Sequence, residues 1–459
     1  MQASENSLAT GSIGKLMVRF AVPSVTAMLV NALYNIVDQV FIGRGVGYLG
    51  NGAANVVLLM TLAALALAMW LGDGAAALVS ISLGQGQTRR AAEGAGTALT
   101  LTAAVSVGAT AAALLFLEPI LRLFGCTDAL LPYARPYGLL TALGLPMMMT
   151  STAINALLRA DGRPRCAMVA MVAGALVNGG LDPILIFGLG WGIRGAAAAT
   201  LAGQGVSFVL SAWYLAHPHS LRLDGRCFCV RAGLAGRILA LGASSLVDQL
   251  SFTLVMAVNN NLIVHYGALS AYGSEIPLTA YGVSMKVQEI LFTVVLGIAL
   301  GMQPIVGYNH GAGRPRRVRQ AYGLAVGVGT AVCALAVVLF VGCPGVIIRL
   351  FGAQSNALYY DFCQRFFRTY FLLYLTFGFI TITGVFFQAV GKPAQAAFLS
   401  LCYQLAFKIF SAVLLSRCLG LDGVLWSGPV ADALATLLAG TLVAAYLLRR
   451  RAEGNPTGG

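Results

Sequence analysis

Long apolar stretches separated by short polar segments run along the whole chain. Each stretch holds about 20 residues, the length that a helix needs to cross the hydrocarbon core of a bilayer. The alternating ten-residue pattern of membrane-spanning β-strands is missing from the sequence. The pattern therefore predicts an all-α membrane protein with twelve transmembrane helices, near residues 16–39, 54–82, 95–117, 134–158, 167–189, 195–216, 236–264, 281–308, 320–342, 364–389, 395–417 and 423–448.

The composition favours a membrane protein over a soluble enzyme. Of the 459 residues, 58% are hydrophobic and 10% are charged, whereas a soluble domain carries about 25% charged residues. The net charge of +13 is compatible with nucleic-acid binding, but no basic stripe alternates with aromatic residues. Most Lys and Arg residues instead fall in loops on one side of the predicted membrane. By the positive-inside rule, this asymmetry predicts a multi-pass protein of the bacterial plasma membrane with both termini cytoplasmic.

The chain repeats itself once. Each half holds six predicted spans, an even number, so both halves enter the membrane in the same orientation. We therefore expect two six-helix lobes, residues 1–216 and 236–459, joined by a cytoplasmic loop at 217–235 and related by a pseudo-two-fold axis along the membrane normal. The repeated loop sequences, first half before second, are Gly84–Arg90 and Gly311–Arg317, Leu121–Gly125 and Ile348–Gly352, Ala160–Pro164 and Ala389–Pro393, and Gly192–Gly195 and Gly420–Gly423.

Two acids inside apolar spans are the strongest candidates for chemistry. Asp38 lies in the first span and Asp182 in the fifth, with Asn178 one helical turn before Asp182. Because a charge in the hydrocarbon region costs about 3 kcal/mol or more, such residues mark sites for an ion, a proton or a substrate. Asn178 and Asp182 share a helix face, and Pro183 loosens the helix there by removing a backbone donor. Capping of a broken helix by Asp182 is the structural alternative.

The second half lacks these acids. Alignment of the repeats places Asn260 opposite Asp38 and Phe410 opposite Asp182. If the acids served only the architecture, both halves would need them equally. The comparison therefore favours a functional site in the N-terminal lobe.

Seven short motifs follow one another along the chain, namely Tyr34–Gly43, Gly84–Gly86, Arg159–Pro164, Asn178–Pro183, Gly195–Thr200, Gln303–Asn309 and Pro429–Asp432. In this order they resemble the multidrug and toxic compound extrusion family of cation-coupled antiporters. The resemblance implies two six-helix lobes and export of organic cations driven by inward H⁺ or Na⁺. It also implies a cation site formed in the N-terminal lobe by Asp38, Asn178, Asp182 and Thr200. Their oxygens suit a hard cation such as Na⁺, and the two desolvated carboxylates could take up a proton instead.

Aromatic residues and methionines of several spans are candidates for a substrate cavity. Flexible methionines and broad aromatic faces suit a permissive pocket for organic cations or amphipathic drugs. We expect a monomer whose partners are small organic cations and the lipid bilayer, with no nucleic acid. The nine cysteines lack metal-site spacing, and we expect no cofactor beyond the coupling ion. The predicted cavity residues are Tyr34, Asn35, Met149, Asn260, Gln288 and Tyr370.

Other ionisable residues within spans are weaker candidates. Asp248 in the seventh span could line a cavity or make an interhelical hydrogen bond. Lys286 and Glu289 are spaced i, i+3 on the eighth span, which predicts an ion pair. Lys408 of the eleventh span and Asp432 of the twelfth are predicted to pair likewise.

Other functions are weighed against export of organic cations by an antiporter. A flippase or exporter of a lipid-linked or polar metabolite would share the two-lobe architecture, but flippases tend to need cationic residues for pyrophosphate, and the candidate residues here are acidic. A duplicated six-helix unit could also build a channel or a scaffold. An intramembrane enzyme is disfavoured because Gly179–Asp182 lacks the third-position glycine of the Gly-x-Gly-Asp pattern, and no His-Glu-x-x-His motif occurs. The sequence therefore predicts a transporter and not an enzyme.

Overall fold

The computed structural model describes residues 5–217, 221–350 and 357–453, and this part of the chain is almost entirely helical. Eleven of its helices are long and apolar enough to cross a membrane, and a pair of helices bent by 52° makes a twelfth span. The prediction of an all-α membrane protein with twelve spans is confirmed for these residues.

The twelve spans are numbered in chain order. They are α1 (Ile13–Gly45), α2 (Tyr48–Gly84), α3 (Thr88–Leu115), α4 (Leu131–Ala160), α5 (Pro164–Gly188), α6 (Gly192–Ala216), α7 (Ala232–Ala268), α8 (Glu275–Gly311), α9 (Pro315–Gly342), α10 (Ala357–Tyr370 and Tyr374–Ala389), α11 (Pro393–Leu419) and α12 (Leu421–Glu453). Shorter helices at Glu5–Thr10, Leu117–Leu123, Gly225–Phe228 and Pro344–Leu350 lie outside the spans.

In the described part of the chain, three spans contain π-helical segments. In α5 the segment Ile184–Gly188 directly follows Pro183, which is expected because proline has no backbone N–H to donate. Further segments occupy Val338–Gly342 of α9 and Cys402–Ile409 of α11. Such segments often occur at functional sites, and two of the three lie on α5 and α11, which correspond in the repeat.

The described residues pack as two compact units. Unit 1 comprises the residues up to Gln249 together with Leu300–Ala321 and Gln388–Gly391. Its interior is rich in alanine, with larger apolar side chains such as Ile42 and Leu157 between them. Small residues allow membrane helices to approach closely, which compensates for the absence of a hydrophobic driving force between helices in lipid.

Unit 2 comprises Leu250–Ala299, Tyr322–Phe387 and the described residues from Lys392 onward. Its interior contains many aromatic rings along α10. Phe366 stacks on Tyr370 with ring centroids 5.0 Å apart, and Tyr374 stacks on Phe377 at 4.6 Å. The interior of unit 2 therefore contains aromatic rings, whereas the interior of unit 1 contains mainly alanine side chains.

The lobe boundaries at residues 216 and 236 stay a prediction. Contacts group the first part of α7 and the last part of α8 with unit 1. Residues 218–220 of the predicted linker lie outside the described residues. The same holds for Phe351 and Gly352, the end of one repeated loop sequence.

Candidate functional site

Three helices bring the predicted acidic residues together in unit 1. Helices α1 and α6 both pack against α5, so Asp38 of α1 and Thr200 of α6 meet Asn178 and Asp182 of α5. The carboxyl groups of Asp38 and Asp182 lie close enough to interact directly. The amide Nδ2 of Asn178 donates a hydrogen bond of 3.1 Å to Thr200 Oγ1. The four residues implied by the family resemblance therefore form one cluster, which we call the acidic cluster.

Two glycines set the separation of α5 and α6 beside Asn178. A Cβ atom added at Gly174 would lie 2.6 Å from the carbonyl oxygen of Gly203, and one added at Gly203 would lie 2.9 Å from Asn178 Cβ. No real Cβ atom fits at these distances. Glycine at both positions is therefore what allows the Asn178 amide to reach Thr200.

The acidic cluster is buried, yet most of its oxygens have no donor. Asp182 is 0% exposed, Asn178 2% and Asp38 9%. Among the described residues, no hydrogen bond reaches Asp38 Oδ1, Asn178 Oδ1 or either carboxylate oxygen of Asp182. Buried polar atoms are normally hydrogen bonded, and exceptions mark functional groups or bound water and ions. These oxygens are thus available to a ligand.

The two like charges in the acidic cluster favour the uptake of a cation. Two buried carboxylates repel each other strongly in a low dielectric. The described charged groups that act on Asp38 and Asp182 include no lysine, arginine or histidine. A proton on one carboxyl group removes the repulsion and supplies a donor. A hard cation bound by the carboxylate, amide and hydroxyl oxygens does the same, so the chemistry of the residues present fits either H⁺ or Na⁺.

Two tyrosines adjoin the acidic cluster. Tyr34 lies one turn before Asp38 on α1, and Tyr137 belongs to α4; both are within electrostatic range of Asp38 and Asp182. Tyr137 is buried and also interacts with Thr200. Tyr34 was among the predicted cavity residues. Tyr137 was missed, because its position depends on how α4 packs against α6, which no spacing in the sequence reveals.

The other predicted cavity residues of unit 1 lie in different environments. Asn35 is exposed, and its amide donates to the carbonyl oxygen of Asn31 on the same helix at 3.0 Å. Met149 is fully buried in an apolar cluster. A role of either residue in substrate binding stays a prediction.

The remaining predicted cavity residues belong to unit 2. Asn260 is half-buried, whereas Gln288 and Tyr370 are buried. Gln288 of α8 neighbours Tyr374 of α10. These three residues are not part of the acidic cluster, which lies in unit 1, and their role in a substrate path also stays a prediction.

Asp73 of α2 is a buried acid that sequence reasoning missed. It is 5% exposed, accepts a hydrogen bond of 2.9 Å from Ser245 Oγ, and lies 3.9 Å from the guanidinium of Arg159. Its place within the second apolar stretch was a usable signal, of the same kind as that of Asp38. Unlike the acidic cluster, Asp73 has a cationic partner and a donor within the protein.

The weaker candidates lie near the charges that the sequence predicts as their partners, and the ion pairs themselves stay a prediction. Glu289 is within electrostatic range of Lys286, and Asp432 is within range of Lys408. Asp248 also has an interaction partner. Throughout the described ranges, no group of three or more His, Cys, Asp or Glu side chains is arranged to hold a metal ion, and the acidic cluster contains only two acids.

Comparison with known proteins follows the same division into halves. The MatE family model matches residues 23–184 and 246–414. Over 352 residues the chain is 26% identical to the FAD transporter of Shewanella oneidensis, covering 74% of each protein. It is 24% identical over 345 residues to the multidrug export protein MepA of Staphylococcus aureus, covering 73% of this chain and 72% of MepA.

Solved structures agree with the fold. The crystal structure of a MATE transporter in the bent conformation superposes with a TM-score of 0.89 at 23% identity, covering 98% of this chain and 99% of that one. The two matched segments of the family model together span most of the chain and include Asp38, Asn178 and Asp182. The chain therefore belongs to the MatE family of multidrug and toxic compound extrusion proteins, which are membrane transporters and not enzymes.

Proposed function

We propose that the protein is an antiporter that exports organic cationic or amphipathic drugs across the bacterial plasma membrane, driven by inward H⁺ or Na⁺. The observation that supports this most directly is the set of buried, donorless oxygens on Asp38, Asn178 and Asp182. An acid pair without a partner is costly inside a membrane unless it loads a cation. The acidic cluster is thus the place where the driving ion binds.

Coupling would follow from the helices that carry the acids. A cation bound between Asp38 and Asp182 draws α1 toward α5, whereas the empty, charged pair pushes the two helices apart. The irregular backbone after Pro183 gives α5 a place where this change is absorbed. Antiport requires that the ion and the substrate favour different conformations. In this protein the ion would change how α1 packs against α5.

A second candidate function is export of a polar metabolite. The relative that is a FAD transporter favours it, since FAD combines planar aromatic rings with a negatively charged pyrophosphate. The tyrosines and phenylalanines of unit 2 would suit stacking on planar rings. The acidic cluster, in contrast, bears the same charge sign as such a substrate, which is why we propose organic cations first.

Transport in reconstituted vesicles tests the proposal. Purified protein in liposomes should move a fluorescent organic cation against its gradient when a pH or a Na⁺ gradient is imposed, and varying the two independently identifies the ion. Asp38→Asn and Asp182→Asn should each abolish gradient-driven transport. Asp128→Asn, which removes an exposed acid of the same unit, should transport like the wild type.

Two outcomes would contradict the proposal. Wild-type rates in Asp38→Asn or Asp182→Asn would remove the acidic cluster from the coupling step. Gradient-driven transport of FAD with no transport of organic cations would favour the second candidate function.

A further inference from the structure

A buried carboxylate of unit 2 already has a cation of the chain beside it. Asp432 on α12 is 3% exposed, and Tyr403 Oη of α11 donates a hydrogen bond of 2.9 Å to its Oδ1. Lys408 on α11 lies within electrostatic range of Asp432, and its Nζ lies 4.4 Å from the centroid of the Tyr403 ring. One tyrosine thus contacts an ammonium with its face and a carboxylate with its hydroxyl.

Two more tyrosines lie near this carboxylate. Tyr370 and Tyr374 of α10 are buried and lie within electrostatic range of Asp432. Among the described residues, Tyr374 Oη and its neighbour Gln288 Oε1 are buried atoms without a well-formed hydrogen bond. A carboxylate next to the face of a tyrosine ring is a combination that binds ammonium groups, because both attract positive charge when water is excluded.

Lys408 occupies a position in the second half of the sequence that corresponds to the acidic cluster in the first half. In the alignment of the halves, Lys408 falls between the positions that correspond to Asn178 and Asp182, and it lies in the π-helical segment of α11. Among the described residues, the acidic cluster of unit 1 lacks a basic partner, whereas Asp432 of unit 2 has one on the helix equivalent to α5. In unit 2 a lysine side chain of the protein provides the positive charge beside the carboxylate, whereas a cation in the acidic cluster of unit 1 would have to come from solution.

We propose that Asp432, Tyr403, Tyr370 and Tyr374 form a second cation site, selective for alkylammonium groups, and that Lys408 is its built-in ligand. The tethered ammonium keeps the carboxylate from binding an exchangeable ion. Only the consequence for transport rests on the proposed function: a coupling ion would load in unit 1 alone, because the site in unit 2 is already filled.

Chemical rescue tests the second site. Lys408→Ala removes the ammonium and leaves space for a small amine, so the midpoint of thermal unfolding of the purified protein should fall. Adding n-propylammonium, whose three carbons and nitrogen match the atoms removed from Lys408, should restore the midpoint in a saturable way. Equal concentrations of Na⁺, K⁺ or neutral n-propanol should not, and Lys408→Gln should not respond to the amine because its longer side chain fills the space.

The partner of the amine is identified by a double variant. Lys408→Ala with Asp432→Asn should show no saturable response to n-propylammonium. If Lys408→Ala yields folded protein only when the amine is present during solubilisation, that supports the site; failure to recover it with the amine overturns the site. An amine response that persists in the double variant, or no response in Lys408→Ala, also overturns it.

The test separates this site from the acidic cluster. Lys408→Ala in an Asp38→Asn background should show the same rescue by n-propylammonium, because Asp38 belongs to the other unit. Rescue that is lost with Asp38→Asn but kept with Asp432→Asn would assign the amine to unit 1 and overturn the second site. Failure of the vesicle transport assay would leave the rescue result standing.

Discussion

At the scale of single residues, the acids of this protein differ in their partners. Asp73 has Arg159 and Ser245, and Asp432 has Lys408 and Tyr403. Asp38 and Asp182 have only each other among charged neighbours in the described part of the chain. Burial of all four follows from the apolar spans that carry them. We expect a buried acid with a basic partner in the protein to stabilise the fold, and a buried acid without one to bind an ion.

The acidic cluster should make stability depend on the coupling ion. A ligand at a hundred times its Kd stabilises the folded state by about 2.7 kcal/mol. The ion identified by transport should therefore raise the midpoint of thermal unfolding of the wild type in detergent. In Asp182→Asn this rise should disappear, while the ion-free midpoint should not fall, because the substitution also removes the repulsion with Asp38. An unchanged ion response in the variant would contradict the assignment.

Asp73 should behave as a structural residue. Asp73→Ala leaves the buried guanidinium of Arg159 without its counter-charge, which typically costs about 3 kcal/mol or more. The midpoint of thermal unfolding should fall markedly. Asp422→Ala breaks the half-exposed pair with Arg365 and should cost about 1 kcal/mol or less. Equal effects of the two substitutions would show that the Asp73 pair contributes little.

At the scale of the helices, the apolar pattern located every span, but it did not show their irregularities. The span predicted at 364–389 is bent by 52° between Tyr370 and Tyr374. No proline lies between these residues, so nothing in the local sequence indicates a break. Stacked rings lie on both sides of the bend, Phe366 on Tyr370 before it and Tyr374 on Phe377 after it. The irregularity after Pro183, in contrast, was expected from the missing backbone donor.

The contact between α5 and α6 offers a matched test at this scale. Gly203→Ala places a Cβ against Asn178 and should push the helices apart, which weakens the Asn178–Thr200 hydrogen bond and ion binding. Gly205→Ala on the same helix meets only Met147 Sδ at 3.6 Å, an ordinary contact. It should be neutral or slightly stabilising, since alanine favours a helix over glycine by about 0.5–1 kcal/mol.

Ion-dependent thermal shifts and gradient-driven transport measure this effect. Both should be reduced in Gly203→Ala and retained in Gly205→Ala. Equal behaviour of the two variants would mean that the close approach of α5 and α6 is not needed for the acidic cluster.

At the scale of the whole molecule, the membrane orientation is still a prediction. The basic loops place both termini in the cytoplasm. Native cysteines allow a direct test, since Cys229, Cys343 and Cys418 are exposed. Cys229 lies in the loop predicted to be cytoplasmic. Cys343 directly follows the C-terminal end of α9, and Cys418 lies at the C-terminal end of α11. Both of these helix ends are predicted to face the outside of the cell.

A membrane-impermeant maleimide added to intact cells should label Cys343 and Cys418 and leave Cys229 unmodified. Variants that keep one of these cysteines at a time assign the signal, and permeabilised cells show that Cys229 is reactive. Labelling of Cys229 alone from the outside would reverse the proposed orientation.

Twelve spans, a duplication and two acids on α1 and α5 could be predicted from the amino-acid sequence. These follow from properties of single segments, namely the length needed to cross a bilayer and the cost of a charge in it. The meeting of side chains could not be predicted: Tyr137 lies beside Asp38 and Asp182, and Ser245 and Arg159 lie beside Asp73. Such meetings depend on how each helix is rotated about its axis and on where glycines let two helices touch, and neither is a property of one segment alone.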